Sequence, residues 1–231
     1  RVAGPDHRRR LVQAAPPVDR LVHDRDVHDG DQADHGAARG AGAGKALLLA
    51  AHDTTTSALT MAVHYLAHHQ QWQERLREEL KALGKPHLAY EDLATVADLD
   101  NCFRETVRLY PPVPMMMRRT VREVELGGFP LQPHTMVQIS PLYTHRMEQW
   151  WSKPHEFDPD RFAREEHKQH SFMWAPFGGG AHKCIGLHFA DMLFKCVMTE
   201  MLRRFRFRLP ASYPQVPSVI RAEGSPVLSI G

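Results

Sequence analysis

A lone cysteine lies in a glycine-rich segment that could hold a reactive or metal-bound thiolate. The segment runs from Phe177 to Gly186 and places Cys184 just before a predicted helix. The partial positive charge of a helix N-terminus favours a thiolate over a thiol, and backbone N–H groups can bond its sulfur. Gly180 and Gly186 can adopt positive φ and let the backbone pass close to a flat ligand. A glycine turn around a buried free cysteine is the simpler alternative.

Two other pairs of residues have types and spacing suited to chemistry. Glu105 and Arg108 are three positions apart on a predicted helix, so they face the same way and can form an ion pair. Asp53 and Thr54 form an acid–alcohol pair inside a long apolar segment, where their side chains compete for backbone hydrogen bonds and lower helix stability. For these pairs the alternatives are a solvated surface pair and a polar helix face.

The cysteine segment, with the spacing F-x-x-G-x-[H/R]-x-C-x-G, resembles the heme-binding loop of the cytochrome P450 family. Three further motifs occur in that family's order, at residues 50–55, 105–108 and 159–162. The resemblance covers residues 46–231 and does not extend into residues 1–45. It implies a mainly α fold with small β-sheets (α+β), the C-terminal part of the P450 fold, with a long central helix and a heme-thiolate loop.

The resemblance also implies a cofactor site. Cys184 would be the axial ligand of the heme iron and the protein's metal-binding residue. His182 is a second expected partner of the heme propionates, after the arginine described next. The cofactor-binding set is Cys184, His182, Arg118, Phe177, Gly180 and Gly186.

By the same resemblance, Arg118 lies on a strand that lines the substrate cavity and meets a heme propionate. Arg119 is the competing choice for this position. The preceding Met115–Met117 would suit a bulky apolar substrate if they line the cavity, because methionine is flexible and polarizable. They could equally be core residues.

The catalytic residues that the resemblance implies are Asp53 and Thr54. Thr54 would steady iron-bound oxygen and a water, and Asp53 would relay protons along a buried path. Ala51 stands where the family often has glycine, so a smaller local opening of the helix is expected.

Arg161 is expected to join Glu105 and Arg108 in a buried three-member ion network. A guanidinium offers a planar fork that pairs with a carboxylate through two hydrogen bonds. Such a network would hold the thiolate loop against the core.

Several other signals do not support a site. Residues 42–46 lack the spacing and the Ser/Thr of a phosphate loop, and no Glu follows His64 in the His64–His68 pair. Cys102 and Cys196 are most simply buried small apolar residues. Residues 195–208 are rich in basic side chains, which indicates either a solvated helix end or a docking face for an acidic redox partner.

The elements that must position these residues follow from hydrophobic periodicity. Most of the chain reads as helices and turns, with a β-hairpin over 119–139 around Gly127 and Gly128. An irregular Pro- and His-rich stretch covers 148–172, and the tail from Phe205 reads as short strands. Helices are predicted over 46–69, 70–83, about 90–96, 98–109 and about 185–204.

Composition excludes several classes of protein. The charge of +2 in 231 residues gives no strong field for nucleic acid, and three cysteines exclude a disulfide scaffold. No run of about 18 apolar residues exists to span a bilayer. The chain begins at Arg1 without a signal-like segment, as a fragment would, and a cytoplasmic location is expected.

Residues 1–45 differ in kind from the rest. They contain no Phe, Tyr, Trp, Ile or Met, so they have little apolar surface to offset the entropy of ordering. We expect a low-complexity segment that is either disordered or read from a shifted frame. Residues 46–231 are then the C-terminal portion of a P450 domain.

The resemblance predicts a heme-thiolate monooxygenase that inserts one oxygen atom from O2 into a small apolar substrate. The implied cofactors are heme b (iron protoporphyrin IX) and O2, with electrons from NAD(P)H through a ferredoxin or reductase. No nucleic acid partner is expected, and no membrane attachment is visible in the sequence. The alternatives are a truncated, catalytically inactive P450 fragment and a heme-thiolate sensor or peroxide-using enzyme.

Overall fold

The computed structural model of the protein describes residues 27–28 and 39–209, with side chains from residue 48 onward. The described residues are mainly helical with two small sheets, which confirms the predicted fold class. The predicted segment 1–45 and the tail beyond residue 209 lie largely outside this description.

Four helices form the main core. They are α1 (Arg39–His68), α2 (Gln70–Ala82), α3 (Ala97–Leu109) and α6 (Leu187–Arg204), and each contacts the other three. Each helix contributes buried apolar residues four positions apart, which lie on one face because a helix has 3.6 residues per turn. These residues are Ala58, Ala62 and Leu66; Leu76 and Leu80; Leu99, Phe103 and Val107; and Phe194, Met198 and Leu202.

The helix bounds agree with the sequence predictions for α2 and α3 to within about one residue. A 3₁₀ helix, Tyr90–Ala94, occupies the position predicted for the short helix. Helix α1 begins at Arg39, ahead of the boundary that the sequence predicts at residue 46.

The described residues form two antiparallel sheets, and every strand except β1 lies between α3 and the glycine-rich loop in the chain. The first has the order β1 (Val27–His28), β2 (Met116–Thr120), β5 (Met136–Ile139). The second pairs β3 (Val124–Leu126) with β4 (Phe129–Leu131).

The predicted hairpin is confirmed, and its turn explains the two glycines. Gly127 and Gly128 have φ of 58° and 83°, the positive pair that a two-residue hairpin turn with the strands' twist requires.

Four further short helices occur before the irregular stretch, within it and in the glycine-rich loop of the described residues. They are α4 (Pro141–Thr144), α5 (Asp160–Ala163) and the 3₁₀ helices Glu166–Lys168 and Gly180–His182.

The strand prediction for the tail is wrong for residues 205–209, which form no strand. The backbone of Phe207 pairs instead with the side chain of Gln73. Phe207 N–H donates to Gln73 Oε1 over 2.8 Å, and Gln73 Nε2 donates to Phe207 O over 3.0 Å. A side-chain amide therefore takes the place of a neighbouring strand.

Among the described residues, no helix combines the length and the apolar run that crossing a membrane needs.

Candidate functional site

Cys184 lies at the exposed end of the glycine-rich loop, three residues before α6 begins. Its backbone N–H donates to Phe177 O over 2.9 Å and so closes the loop. The Phe177 ring packs between Phe103 of α3 and Trp174. The base of the loop is therefore anchored on the helical core, while the thiol is left accessible.

The two glycines of the motif have different backbone conformations. Gly180 has φ of 69°, in the left-handed region that favours glycine, as expected. The same expectation is wrong for Gly186, which has φ of −86° and caps α6. A Cβ at Gly186 would lie 3.7 Å from Cys184 Sγ, an ordinary contact. This glycine therefore leaves room beside the sulfur and satisfies no positive-φ requirement.

The predicted ion network is confirmed. Arg108 donates to both oxygens of Glu105, from Nε over 2.6 Å and from Nη2 over 2.9 Å. Arg161 Nε donates to Glu105 Oε1 over 3.0 Å. All three side chains have no exposed surface. Because removing a charge from water is costly unless ion pairs and hydrogen bonds compensate for it, the network depends on every member.

Backbone carbonyls complete the hydrogen bonding of the two arginines. Arg108 Nη1 donates to the carbonyls of His145 and Pro154 over 2.6 and 2.8 Å. Arg161 Nη1 donates to Ser152 O over 2.7 Å. The network thus fixes the irregular stretch before the loop onto α3.

A cavity of about 460 Å³ lies between sheet β1-β2-β5 and the glycine-rich loop. Met116, Arg118 and Thr120 line it, and so do the glycines of 178–180. Side chains alternate along a strand, so Arg119 belongs to the other face of β2. Arg118 is therefore the arginine that shares a cavity with the loop.

The three methionines before Arg118 divide between two environments. Met116 lines the cavity, whereas Met115 and Met117 are each nearly half exposed. None of the three belongs to the buried core.

His182 lies in the 3₁₀ turn Gly180–His182 and is exposed, two residues before Cys184. It therefore accompanies the thiol on the accessible side of the loop.

The acid–alcohol pair lies on α1 in a different setting from the one predicted. The Asp53 side chain is 77% exposed and lies 2.8 Å from Nδ1 of His52, so a buried path at Asp53 is wrong for this structure. Thr54 is half-buried, and its hydroxyl donates to Ala50 O over 2.6 Å. Helix α1 is continuous through both residues.

Several basic side chains of the run 195–208 form ion pairs with carboxylates. Lys195 is buried and pairs with Asp100 and Asp191, each over 2.9 Å. Burial lowers the pKa of Lys195, but the hydrogen bonds to the two carboxylates outweigh it and the pKa is raised. Lys195 therefore joins α6 to α3 and is not part of a docking face.

Further along this run, Arg204 pairs with Glu200 and Arg206 with Glu74. The alternative of a solvated helix end fits these residues better than a bare basic patch.

The two remaining cysteines differ from each other. Cys102 is buried as predicted, and burial raises its pKa to about 12, so it remains a neutral thiol. Cys196 is exposed on α6, so the prediction of burial is wrong there.

The residues present fit a heme. Cys184 offers an accessible soft ligand of the kind that iron in heme takes from cysteine. Next to it in the chain, Ile185 is 92% exposed and Phe189 is 54% exposed, and these suit an apolar macrocycle. Arg118 supplies a cation suited to carboxylate groups.

Sequence reasoning missed one buried residue that links the network to the loop, His145. It touches both Arg108 and Ala175 and has no exposed surface. A single histidine in a polar stretch gives no signal of this contact, because its two partners lie 37 and 30 positions away.

Comparisons with known proteins agree with this geometry. The model of the family Cytochrome P450 matches residues 43–222. Cytochrome P450 136 of Mycobacterium tuberculosis is 43% identical over 165 residues, which cover 71% of this chain and 34% of that protein. Sterol 14alpha-demethylase of Mycolicibacterium vanbaalenii is 32% identical over 174 residues, covering 72% and 38%.

Cytochrome P450 3A9 of Rattus norvegicus is 33% identical over 180 residues, which cover 77% of this chain and 36% of that protein. The chain spans about a third of the length of the curated relatives it matches. The cysteine loop, the buried ion network and the extent of these matches lead to one conclusion: the chain belongs to the cytochrome P450 family.

Proposed function

We propose that the protein acts as a heme-thiolate monooxygenase on a small apolar substrate. It would use heme b and O2, with electrons from NAD(P)H delivered by a ferredoxin or reductase. The heme, when bound, supplies the redox chemistry by which one atom of O2 enters the substrate and the other leaves as water. The observation that carries the proposal is the accessible thiol of Cys184 at the end of a loop anchored on a buried ion network.

Each residue of the site has a role that follows from its position. Cys184 would ligate the iron through its deprotonated sulfur. Arg118 and His182 would bond the propionates and orient the cofactor. The Met116 side chain, in the cavity beside Arg118, would contact apolar atoms.

Asp53 and Thr54 of α1 would take part in proton transfer. The Thr54 hydroxyl donates to Ala50 O, so its oxygen can accept a hydrogen bond from a water. The Asp53 carboxylate, beside His52, would exchange protons with solvent because it is exposed. Together the two residues would pass protons between solvent and the half-buried hydroxyl. The cytoplasmic location stays a prediction.

The test is the substitution Cys184→Ser in heme-loaded protein. The reduced, carbon-monoxide-treated wild type should show the long-wavelength Soret band typical of thiolate ligation. The variant should lose this band. Cys196→Ser is the matched control, because Cys196 is also exposed and belongs to the following helix, and it should keep the band. A band of the His-ligated type in the wild type would reject the proposal.

The alternative of a catalytically inactive chain is favoured by the exposure of Asp53. It predicts weak heme retention and no substrate oxidation. Heme stoichiometry after gel filtration, together with product formation, separates the alternatives: tight one-to-one binding with turnover would reject the inactive chain.

A further inference from the structure

His145 is held between the ion network and the start of the cysteine loop. Its side chain has no exposed surface. Ala175 N–H donates to His145 Nε2 over 3.0 Å, so this nitrogen carries no proton. Nδ1 lies 3.1 Å from Arg108 O and therefore carries the proton of the neutral ring and donates it. The two contacts require one tautomer.

The backbone of His145 is fixed by the same arginine. Arg108 Nη1 donates to His145 O over 2.6 Å, while His145 N–H donates to Pro141 O over 2.8 Å. The imidazole also meets the Trp151 ring edge-on, with centroids 6.5 Å apart. Arg108 thus holds His145 through both its carbonyl and its guanidinium.

The bond to Ala175 reaches the loop. Ala175 O accepts from Gly178 N–H over 3.1 Å, and Phe177 O accepts from Cys184 N–H over 2.9 Å. A shift of Ala175 would therefore move the turn that closes on the cysteine.

We propose that His145 is a positioning residue, which fixes the entrance of the loop and through it the place of the Cys184 sulfur. The inference rests on the proposed function, since only a bound iron makes the place of the sulfur matter. A parallel link, from Trp174 Nε1 to Arg104 O over 3.2 Å, orients the neighbouring residue. The His145 link differs because it connects Ala175, two residues before the loop, to an arginine of the buried ion network.

The first test uses the protein without heme. In ¹⁵N spectra, His145 should show the tautomer protonated at Nδ1, and the Ala175 amide should be protected from hydrogen exchange. His145→Phe keeps an aromatic ring but removes the Nδ1 donor and the Nε2 acceptor. Hydrogen exchange of the Ala175 amide should then become about tenfold faster or more, after correction for any change in the rate of exchange through global unfolding. His145→Gln retains one donor and one acceptor and should restore much of the protection. An Nε2-protonated ring, or unchanged exchange in His145→Phe, would overturn the proposal.

The second test uses heme-loaded protein and asks about thiolate ligation. His145→Phe should lower the fraction of the ferrous–carbonyl band of thiolate type by severalfold, whereas His145→Gln should retain it. Leu80→Ala is the control for lost stability, because Leu80 is buried in the core on α2. If Leu80→Ala loses the same fraction at matched stability, His145 has only a structural role. A wild type without the thiolate band would reject the proposed function, and the exchange result would still stand.

Discussion

At the scale of single residues, Glu105 is the acceptor on which two buried arginines depend. Its Oε1 accepts from Arg108, Arg161 and the Asp158 N–H, and its Oε2 accepts from Arg108. One carboxylate thus faces two guanidinium groups, and Glu166 at 3.0 Å from Arg161 supplies the second negative charge. The carboxylate is fully hydrogen-bonded, as a buried charge must be.

Replacing Glu105 by Gln would keep the size of the side chain and remove its charge. We expect the free energy of unfolding to fall by about 3–5 kcal/mol, because two buried guanidinium groups would lose their shared carboxylate. Urea unfolding followed by tryptophan fluorescence measures this change. Glu165→Gln is the control, since its pair with Lys168 is exposed and screened by solvent, and it should leave the free energy of unfolding almost unchanged. A loss below about 1 kcal/mol in Glu105→Gln would contradict the role of the network.

His145 gives the protein a specific sensitivity to acid. Burial, followed by the charges of Arg108 and Arg146, lowers its pKa from 6.5 to about 3, although the bond to Arg108 O opposes this. The unfolded chain binds a proton below about pH 6.5, and the folded protein does not until about pH 3. Stability is therefore present above the upper value and falls as the pH decreases toward the lower one.

This predicts how steeply the free energy of unfolding changes with pH. Between about pH 6 and pH 4, the free energy of unfolding should fall by about 1.4 kcal/mol per pH unit more in the wild type than in His145→Gln, which carries no titrating group. Urea unfolding at a series of pH values measures both slopes. The difference between the proteins removes the contributions of carboxylates and other histidines. Parallel slopes would show that the ring titrates normally.

The sequence predicts contacts between side chains when the partners lie close together in the chain or in a recognisable motif. Glu105 and Arg108 follow from helical spacing, and Arg161 follows from its motif. His145 was not predicted, because its partners come from two other segments. The exposure of Asp53 was not predicted either, since an apolar neighbourhood in sequence does not show what packs over it.

At the scale of elements, the backbone of Gly179 in the loop packs closely against the Phe172 ring of the preceding segment. Gly179 has extended backbone, with φ of −159°, so any residue could adopt its conformation. A Cβ there would nevertheless lie 2.3 Å from Cε1 of the Phe172 ring. A side chain at this position would therefore displace the Phe172 ring, and the backbone conformation sets no demand for glycine.

Gly179→Ala should therefore destabilise the protein by about 1 kcal/mol, the low end of the cost of overpacking, because the Phe172 ring is 40% exposed and can turn toward solvent. In a Phe172→Ala background most of this loss should disappear, which a double-mutant cycle of unfolding free energies measures. Gly84→Ala is the control: it has φ of 65° with no neighbour within 4 Å, so its cost should be the same in both backgrounds. Additive effects of Gly179→Ala and Phe172→Ala would contradict the contact.

The sequence predicts a helix or strand well when the residue pattern of that segment alone determines it. The bounds of α2 and α3 follow from apolar stripes and terminating residues, and the hairpin follows from Gly127 and Gly128. The pattern fails where a residue's environment depends on distant charges. Lys195 looks like a surface cation in the sequence, yet Asp100 of α3, far away in the chain, pairs with it and makes it a buried link between helices.

At the scale of the whole molecule, α1 extends beyond the core that its second half helps to form. Ala58, Ala62 and Leu66 are buried, whereas Leu48 and Leu49 are 73% and 65% exposed. The apolar composition of the first half predicts burial, but no described residue covers it. This explains why Asp53 is exposed in the middle of an apolar helix.

The exposed apolar residues of α1 and of the loop predict how the 231-residue chain behaves in solution. Among the side chains that the structure describes in these two segments, Leu48 and Ile185 are the most exposed aliphatic ones, and exposed apolar surface drives association. We expect the heme-free chain to associate as its concentration rises, as measured by sedimentation velocity. The double variant Leu48→Gln, Ile185→Gln should weaken association about tenfold or more, since each substitution removes surface contributing on the order of 1 kcal/mol. Tyr90→Gln is the control, because Tyr90 is 77% exposed on a separate 3₁₀ helix and should leave association unchanged. Equal weakening in the control would mean that association has no preferred surface, and a monomer at every concentration would mean that these residues do not drive it.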